Sequence, residues 1–212
     1  MGYAGRGADR SARDLADPLT GMKIAVLKET APGERRVAAT PETVKKFVAL
    51  GAELAVERDA GAAAAFADQG YADAGATIGD RASVVQGADI VLGVQGPDVA
   101  SLTGAKPGAW IVAGLNPFGD RARVDAYASA GFEALAMEFM PRITRAQSMD
   151  ILSSQSNLAG YKAVLDAAAE YGRAFPMMMT AAGTVSAAKC FVMGVGVAGL
   201  QAIATARRLG AQ

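Results

Sequence analysis

Short apolar runs alternate with helical patterns along the first two-thirds of the chain. The run at residues 23–27 predicts a strand, and the alternating residues 53–57 predict a second strand. Between them, Thr40 followed by Pro41 is typical of a helix start, and Gly51 is typical of a helix end. Because this β-α-β order has the length of a crossover, we expect the two strands to lie parallel in one sheet.

The same alternation continues to about residue 140. Further strands are predicted at 89–94, 109–113 and 132–137, and a further helix at 121–129. Repeated β-α units predict a doubly wound, flavodoxin-like α/β domain over residues 22–147. Residues 1–21 are rich in Gly, Arg, Asp and Ser and lack the apolar core of a secretory signal, so we expect a disordered extension there.

A second domain is predicted beyond a long helix. Residues 148–175 carry an apolar side at helical spacing and predict one helix that links two domains. An apolar strand is then predicted at 187–193, followed by a helix at 197–209 that Gly210 ends. We therefore interpret residues 176–212 as the beginning of a Rossmann dinucleotide-binding domain.

The composition narrows the possible chemistry. Lys plus Arg equal Asp plus Glu, at 21 each, so the overall charge gives no case for a nucleic-acid partner. No apolar run approaches the roughly 20 residues that cross a bilayer. Cys190 is the only cysteine and histidine is absent, so no disulfide within the chain and no metal site are predicted. Any catalysis is expected to depend on carboxylates, Lys, Arg, Tyr or a bound cofactor.

A glycine fingerprint of the form G-x-G-x-x-G occupies residues 194–199, between the predicted strand and helix. In such a fingerprint Gly194 permits a tight turn, Gly196 lets the backbone approach a pyrophosphate, and Gly199 lets helix and strand pack closely. The helix N-terminus then offers free N–H groups to the phosphates. The alternative interpretation is a glycine-rich turn that binds no ligand.

The acidic residue that binds the adenosine ribose is expected about 20 residues after the fingerprint. The sequence ends at Gln212, before that position. Because one β-α unit does not bury both faces of a nucleotide-binding sheet, we expect the sequence to be truncated. The fingerprint by itself therefore leaves the choice between NAD and NADP open.

A polar stretch at residues 142–150 lies between the last predicted strand of the first domain and the long helix. Gln147 has the donors and acceptor to bind a carboxamide or a ribose hydroxyl. Arg142 is suited to contact a phosphate or to hold the carboxylate of Asp150. The alternative is a solvated loop whose Asp150 caps the next helix.

Three segments resemble the NAD(H)-binding domain I, or alpha subunit, of the proton-translocating nicotinamide nucleotide transhydrogenases. They are residues 140–161, residues 175–184 and residues 194–206. The residues at 28–29, 36–38 and 40–41 fit this family too, but they fit the alanine dehydrogenases equally well, and the two families share a fold. The resemblance covers the chain from about residue 22 to its end.

The resemblance implies that the polar stretch is a mobile loop over the nicotinamide. Arg142, Gln147 and Asp150 would then be its functional trio, and Ser153 would be a further contact. The cofactor contacts implied by the family are completed by Ile143, Thr144 and Arg145 in the loop and by Gly194, Gly196, Val197 and Gly199 in the glycine turn. The cofactor bound here would be NAD(H).

The implied activity is hydride transfer between NAD(H) on this chain and NADP(H) on a separate partner domain, coupled to proton translocation by a membrane domain. The cofactors would carry the redox chemistry, so no side chain of this chain needs to act as a general base. The resemblance also implies a homodimer when complete. It places the protein on the cytoplasmic face of the plasma membrane, held there through partner subunits.

Two alternatives remain open. An alanine dehydrogenase-like oxidoreductase is disfavoured because such enzymes use a Lys and a His, whereas Gln95 replaces the expected Lys and residues 114–116 include no His. Arg36 matches a substrate-binding Arg of those enzymes, and we interpret it here as a structural residue. The other alternative is an inactive fragment or a binding module that keeps the fold without turnover.

Overall fold

The computed structural model describes residues 19–212, which form two compact units, one ending at Phe139 and the other beginning at Met140. The extension predicted for residues 1–21 lies outside the described residues, apart from its last three. Within the described part of the chain, no helix is both long enough and apolar enough to span a membrane.

The first unit is built on a parallel sheet of six strands. The strands are β1 (Lys23–Val26), β2 (Glu53–Glu57), β3 (Thr77–Gly79), β4 (Ile90–Gln95), β5 (Trp110–Gly114) and β6 (Glu133–Ala136). Their order is β3-β2-β1-β4-β5-β6. Without the short edge strand β3, the order among the other five is that of flavodoxin-like folds. The predicted doubly wound α/β architecture is therefore confirmed.

Four α-helices connect these strands: α1 (Pro41–Ala49), α2 (Asp68–Asp73), α3 (Arg81–Val85) and α4 (Arg121–Ser129). Helix α1 begins as predicted, because the side chain of Thr40 accepts a hydrogen bond from the Thr43 N–H and Pro41 occupies the first turn. The chain leaves it through Gly51, whose φ of +86° is open to glycine. Strand β3 and helices α2 and α3 are too short to give a clear periodic signal, and the sequence pattern did not predict them.

The core of the first unit lies on both faces of the sheet. Alternate residues of β1 point to opposite faces, so Ile24 and Val26 belong to one buried cluster while Ala25 belongs to the other. Tyr71 closes the first cluster, and its buried hydroxyl donates to the Ala39 carbonyl at 2.9 Å. Tyr127 of α4 closes the second. Covering both faces buries the polar backbone and leaves the strand ends as the places where loops meet.

The second unit contains α5 (Ile151–Glu170), a hairpin of β7 (Met178–Thr180) and β8 (Gly183–Val185), and α6 (Val197–Arg208). Helices α5 and α6 pack together through Val164, Ala202 and Ala206. The helix predicted at 148–175 is thus shorter at both ends. A 3-10 turn at Thr144–Met149 precedes it, and the chain turns to extended dihedrals at Tyr171.

The strand predicted at 187–193 is not formed, and this element of the prediction was wrong. Within the described residues its backbone makes only a short parallel-type pairing, in which Cys190 N–H donates to Gln212 O and Gln212 N–H donates to Ala188 O. A strand needs a continuous ladder with a neighbour, and an apolar run alone does not supply one. Phe191 and Met193 are consequently 88% and 89% exposed.

Candidate functional site

The glycine turn before α6 has the geometry that its fingerprint requires. Gly194 adopts a φ of +101°, which a residue with a Cβ rarely adopts. A Cβ added at Gly199 would overlap the Gly194 carbonyl, with the carbonyl carbon at 2.8 Å, so the helix approaches the turn closely. Two of the three fingerprint glycines are therefore required by the fold itself.

Gly196 differs from the other two. A Cβ built there meets no atom within 4 Å, and its φ of −74° suits any residue, so neither packing nor conformation demands glycine. Gly196 is also the N-cap of α6, and no side chain caps this helix. The N–H groups of the first helical turn and the open space beside Gly196 together form a cradle suited to an anionic group.

A cavity of about 380 Å³ lies against this cradle, between the glycine turn and the start of α5. Its lining consists of Arg142, Leu152, Ser153, Ser156, Met193, Gly194, Gly196, Val197, Ala198 and Gly199. Arg142 contributes the only charge in this lining, and it is positive. The residues present fit the pyrophosphate of a dinucleotide, which needs N–H donors, a nearby cation and room for close approach.

Asp150 lies at the N-terminus of α5 and caps it. Its Oδ1 accepts hydrogen bonds from the N–H groups of Leu152 at 2.9 Å and Ser153 at 3.2 Å, and its Oδ2 accepts one from the Ser153 hydroxyl at 2.7 Å. The Ser153 hydroxyl, these backbone groups and the charge of Arg142 hold the pKa of Asp150 below its ordinary value. The carboxylate is thus ionised at neutral pH and engaged within its own helix.

The structure brings together some of the predicted site residues and leaves others apart. The cavity gathers Arg142, Ser153, Gly194, Gly196, Val197 and Gly199. It does not include Ile143, Thr144, Arg145, Gln147 or Asp150, of which the first four have exposed side chains in or beside the 3-10 turn. Leu152, Ser156, Met193 and Ala198 line the cavity without having been predicted. For Ser156 a signal existed, since it follows Ser153 by one helical turn.

A second cavity, of about 320 Å³, lies in the first unit at the carboxyl ends of β1 and β4, where the strand order reverses. Such switch points are common ligand sites in doubly wound sheets. Here the polar groups are largely engaged with one another. The half-buried Glu29 accepts from the N–H groups of Val94 at 2.6 Å and Gln95 at 3.2 Å, and burial raises its pKa.

Arg36 is held by a bidentate pair with Glu34, with Nε–Oε1 and NH2–Oε2 distances of 2.7 and 2.6 Å. Gln95 donates a further hydrogen bond to Glu34 at 3.1 Å. The hydrogen bond from Arg36 is the main reason that the pKa of Glu34 falls to about 2. Arg36 and Gln95, the positions that match dehydrogenase substrate residues, thus share one carboxylate of the chain itself.

Comparison with known proteins places this geometry in a family. The model of the alanine dehydrogenase/PNT N-terminal domain matches residues 25–159, and the model of the C-terminal domain matches residues 163–212. The chain belongs to the alanine dehydrogenase/PNT family.

Relatives within the alanine dehydrogenase/PNT family differ in their similarity to the chain. An NAD(P) transhydrogenase alpha subunit of Rhodospirillum rubrum is 56% identical over 196 residues, which cover 90% of this chain and 51% of that protein. The crystal structure of transhydrogenase from Sinorhizobium meliloti matches with a TM-score of 0.85 and 56% identity, over 89% of this chain and 54% of that one. Alanine dehydrogenase of Mycobacterium tuberculosis is 30% identical over 90% of this chain and 52% of its own length. The chain spans about half the length of the curated relatives it matches.

Proposed function

We propose that this chain forms a portion of the NAD(H)-binding component of a proton-translocating nicotinamide nucleotide transhydrogenase. The observation that carries the proposal is the open cradle at Gly196, beside an uncapped helix N-terminus and Arg142. The identity of 56% to transhydrogenase relatives, against 30% to an alanine dehydrogenase, supports the choice within the family.

In this proposal the first turn of α6 binds the pyrophosphate through its N–H groups, and Gly196 leaves room for it. Arg142 neutralises phosphate charge from the same cavity, and Val197 lies against the cofactor. NAD(H), when bound, supplies the hydride chemistry, which exchanges with NADP(H) on a partner domain. The chain itself orients the dinucleotide and needs no general base.

The polar stretch is proposed as the loop over the nicotinamide. Gln147, Arg145, Thr144 and Ile143 have exposed side chains that are available to a ligand. Asp150 anchors the loop by capping α5, and its contact with Ser153 fixes the first helical turn. This arrangement combines a fixed base at Asp150 with free side chains before it, which suits a loop that covers a bound cofactor.

The rival activity, oxidation of an amino acid, lacks its chemistry in the described residues. Arg36 and Gln95 are engaged by Glu34, and the backbone N–H of Asn116 donates to Glu138 Oε1 at 2.7 Å, in a region without histidine. No base is therefore presented to an amino group at the first unit's switch point.

We further propose that the component works with NADP-binding and membrane-spanning partner subunits. The complete protein is then a homodimer, held at the cytoplasmic face of the plasma membrane through those subunits. These partners follow from the transhydrogenase assignment and stand or fall with it.

The proposal is tested by titrating the purified chain with NADH and following nicotinamide fluorescence. The unsubstituted chain is expected to bind, and Gly196→Val is expected to weaken binding by at least about 100-fold, since the valine fills the phosphate cradle. Gly172→Val is the matched control, because a Cβ at Gly172 also meets nothing within 4 Å and the residue lies outside the cavity.

A folded chain that does not bind NADH, or equal losses for both valine variants, would contradict the proposal. Activity is then measured by adding the NADP-binding component and following hydride exchange between NADH and an NADP analogue. Formation of NADH from NAD and L-alanine by the chain alone would favour the dehydrogenase instead.

A further inference from the structure

One face of α5 changes character along its length. Ser153, Ser156, Gly160 and Val164 follow one another at intervals of one helical turn and lie on the same side of the helix. At the far end Val164 packs with Ala202 and Ala206 of α6, while at the near end the two serines line the cavity beside the glycine turn. The same face thus supplies packing at one end and hydroxyl groups at the other.

Gly160 fixes the distance between the two helices. A Cβ there would overlap the Ala198 carbonyl oxygen, and the Ala198 carbonyl carbon would lie only 2.8 Å away. The backbone of α5 therefore touches the first turn of α6. Ser156 lies one turn before this contact, so its position beside the uncapped N-terminus of α6 is set by backbone packing and not by a flexible loop.

The three serines at the start of α5 differ in what their hydroxyls do. Ser153 donates to Asp150 Oδ2 at 2.7 Å, and Ser154 donates to backbone carbonyls of Asp150 and Ile151 at 3.3 and 3.2 Å. The half-buried hydroxyl of Ser156 has no hydrogen-bond partner among residues 19–212. Its donor is the one serine proton in this turn that a ligand can accept.

We infer that Ser156 donates a hydrogen bond to a phosphate oxygen of the dinucleotide that binds at the glycine turn. The inference rests on the proposed function and adds a binding residue from α5 to it. The cavity lining contains no carboxylate, while the N–H groups of α6, the Arg142 guanidinium and the Ser156 hydroxyl all donate. A group with several acceptor oxygens and negative charge matches this set of donors.

The test compares NADH affinity among four forms of the chain by fluorescence titration: the unsubstituted protein, Ser156→Ala, Ser156→Thr and Ser154→Ala. Loss of one hydrogen bond to a charged group predicts that Ser156→Ala weakens binding about tenfold. Ser156→Thr keeps the hydroxyl and should restore affinity to within about twofold. Ser154→Ala removes a hydroxyl from the same helical turn, outside the cavity, and should leave affinity unchanged. Thermal unfolding of each variant verifies that the helix is intact.

Several outcomes would overturn the assignment of Ser156. They are a Ser156→Ala affinity within about twofold of the unsubstituted chain, an equal loss in Ser154→Ala, or a loss that Ser156→Thr does not restore. In each of these cases the unsubstituted chain still binds NADH, so the proposed function stands. If the unsubstituted chain does not bind NADH at all, the proposed function and the Ser156 assignment both fail.

Discussion

The two units of the molecule each place polar groups at the start of helices, but they use them differently. In the first unit, helices α1, α3 and α4 are capped by Thr40, Asp80 and Asp120. In the second, α5 is capped by Asp150 while α6 begins at Gly196 without any side-chain cap. The uncapped helix is the one that borders the cavity with Arg142 and Ser156.

The cavities show the same contrast. At the switch point of the first unit, Arg81 pairs with Glu57 at 2.9 Å and Arg123 with Asp120 at 3.1 Å, so these charges are satisfied inside the protein. Beside the glycine turn, N–H and hydroxyl donors have no internal partner among the described residues. Buried polar groups without partners are costly, so native proteins keep them mainly where a ligand or water completes them. Shape alone would have favoured both cavities, whereas satisfaction of polar groups distinguishes them.

The largest effect is expected from Gly160→Ala. Alanine is the better helix former by about 1 kcal/mol, but its Cβ would overlap the Ala198 backbone and should cost about 3 kcal/mol. The net loss of about 2 kcal/mol should appear as faster amide hydrogen exchange in α5 and α6, and not in the first unit. Gly172→Ala is the control, since its Cβ would meet no neighbour. Unchanged or slower exchange in Gly160→Ala would show that the close helix contact is not needed.

A smaller effect is expected from Glu34→Gln in the first unit. The pKa of Glu34 is lowered from 4.5 to about 2, so its ion pair contributes stability in full above pH 4.5 and loses it as the pH falls from 4.5 to about 2. Because the Arg36 side chain is 45% exposed, the contribution is about 1 kcal/mol.

The measurement for Glu34→Gln is urea unfolding at several pH values. The variant should lose the share of the acid dependence that belongs to this carboxylate, while NADH affinity stays the same. Glu42→Gln, which breaks an exposed pair with Lys46, is the control and should change the pH dependence less. A drop in NADH affinity in Glu34→Gln would mean that the internal network of the first unit supports the nucleotide site.

The smallest effect on stability is expected from Gly196→Ser, and its sign is the informative feature. Serine is a better N-cap than glycine by a few tenths of a kcal/mol, roughly, and the φ and ψ of Gly196 already suit a cap. Helix α6 should therefore become slightly more stable while NADH binds more weakly, because the hydroxyl occupies N–H groups that phosphate needs. A rise in both properties would remove the argument that α6 is left uncapped for a ligand.

Particular elements show how far the sequence reached. Helix α4 and strand β2 have the predicted bounds, because their periodicity is complete and each is bounded by turn residues. The segment 187–193 reads equally well as a strand, yet it forms none, since a strand is a property of a pair. Ser156 was overlooked because its chemistry depends on the position of α6, which local sequence does not specify.

The sequence by itself determined the β-α alternation, the helix caps and the glycine turn, because these depend on residues within a few positions of one another. It also indicated the capping role of Asp150 as one of two interpretations, and tertiary structure made that contact explicit. Only the tertiary structure decided that Gly199 is required by packing while Gly196 faces open space, and that Arg36 is held by Glu34. Those distinctions depend on which atoms meet across the fold, and a linear pattern does not record them.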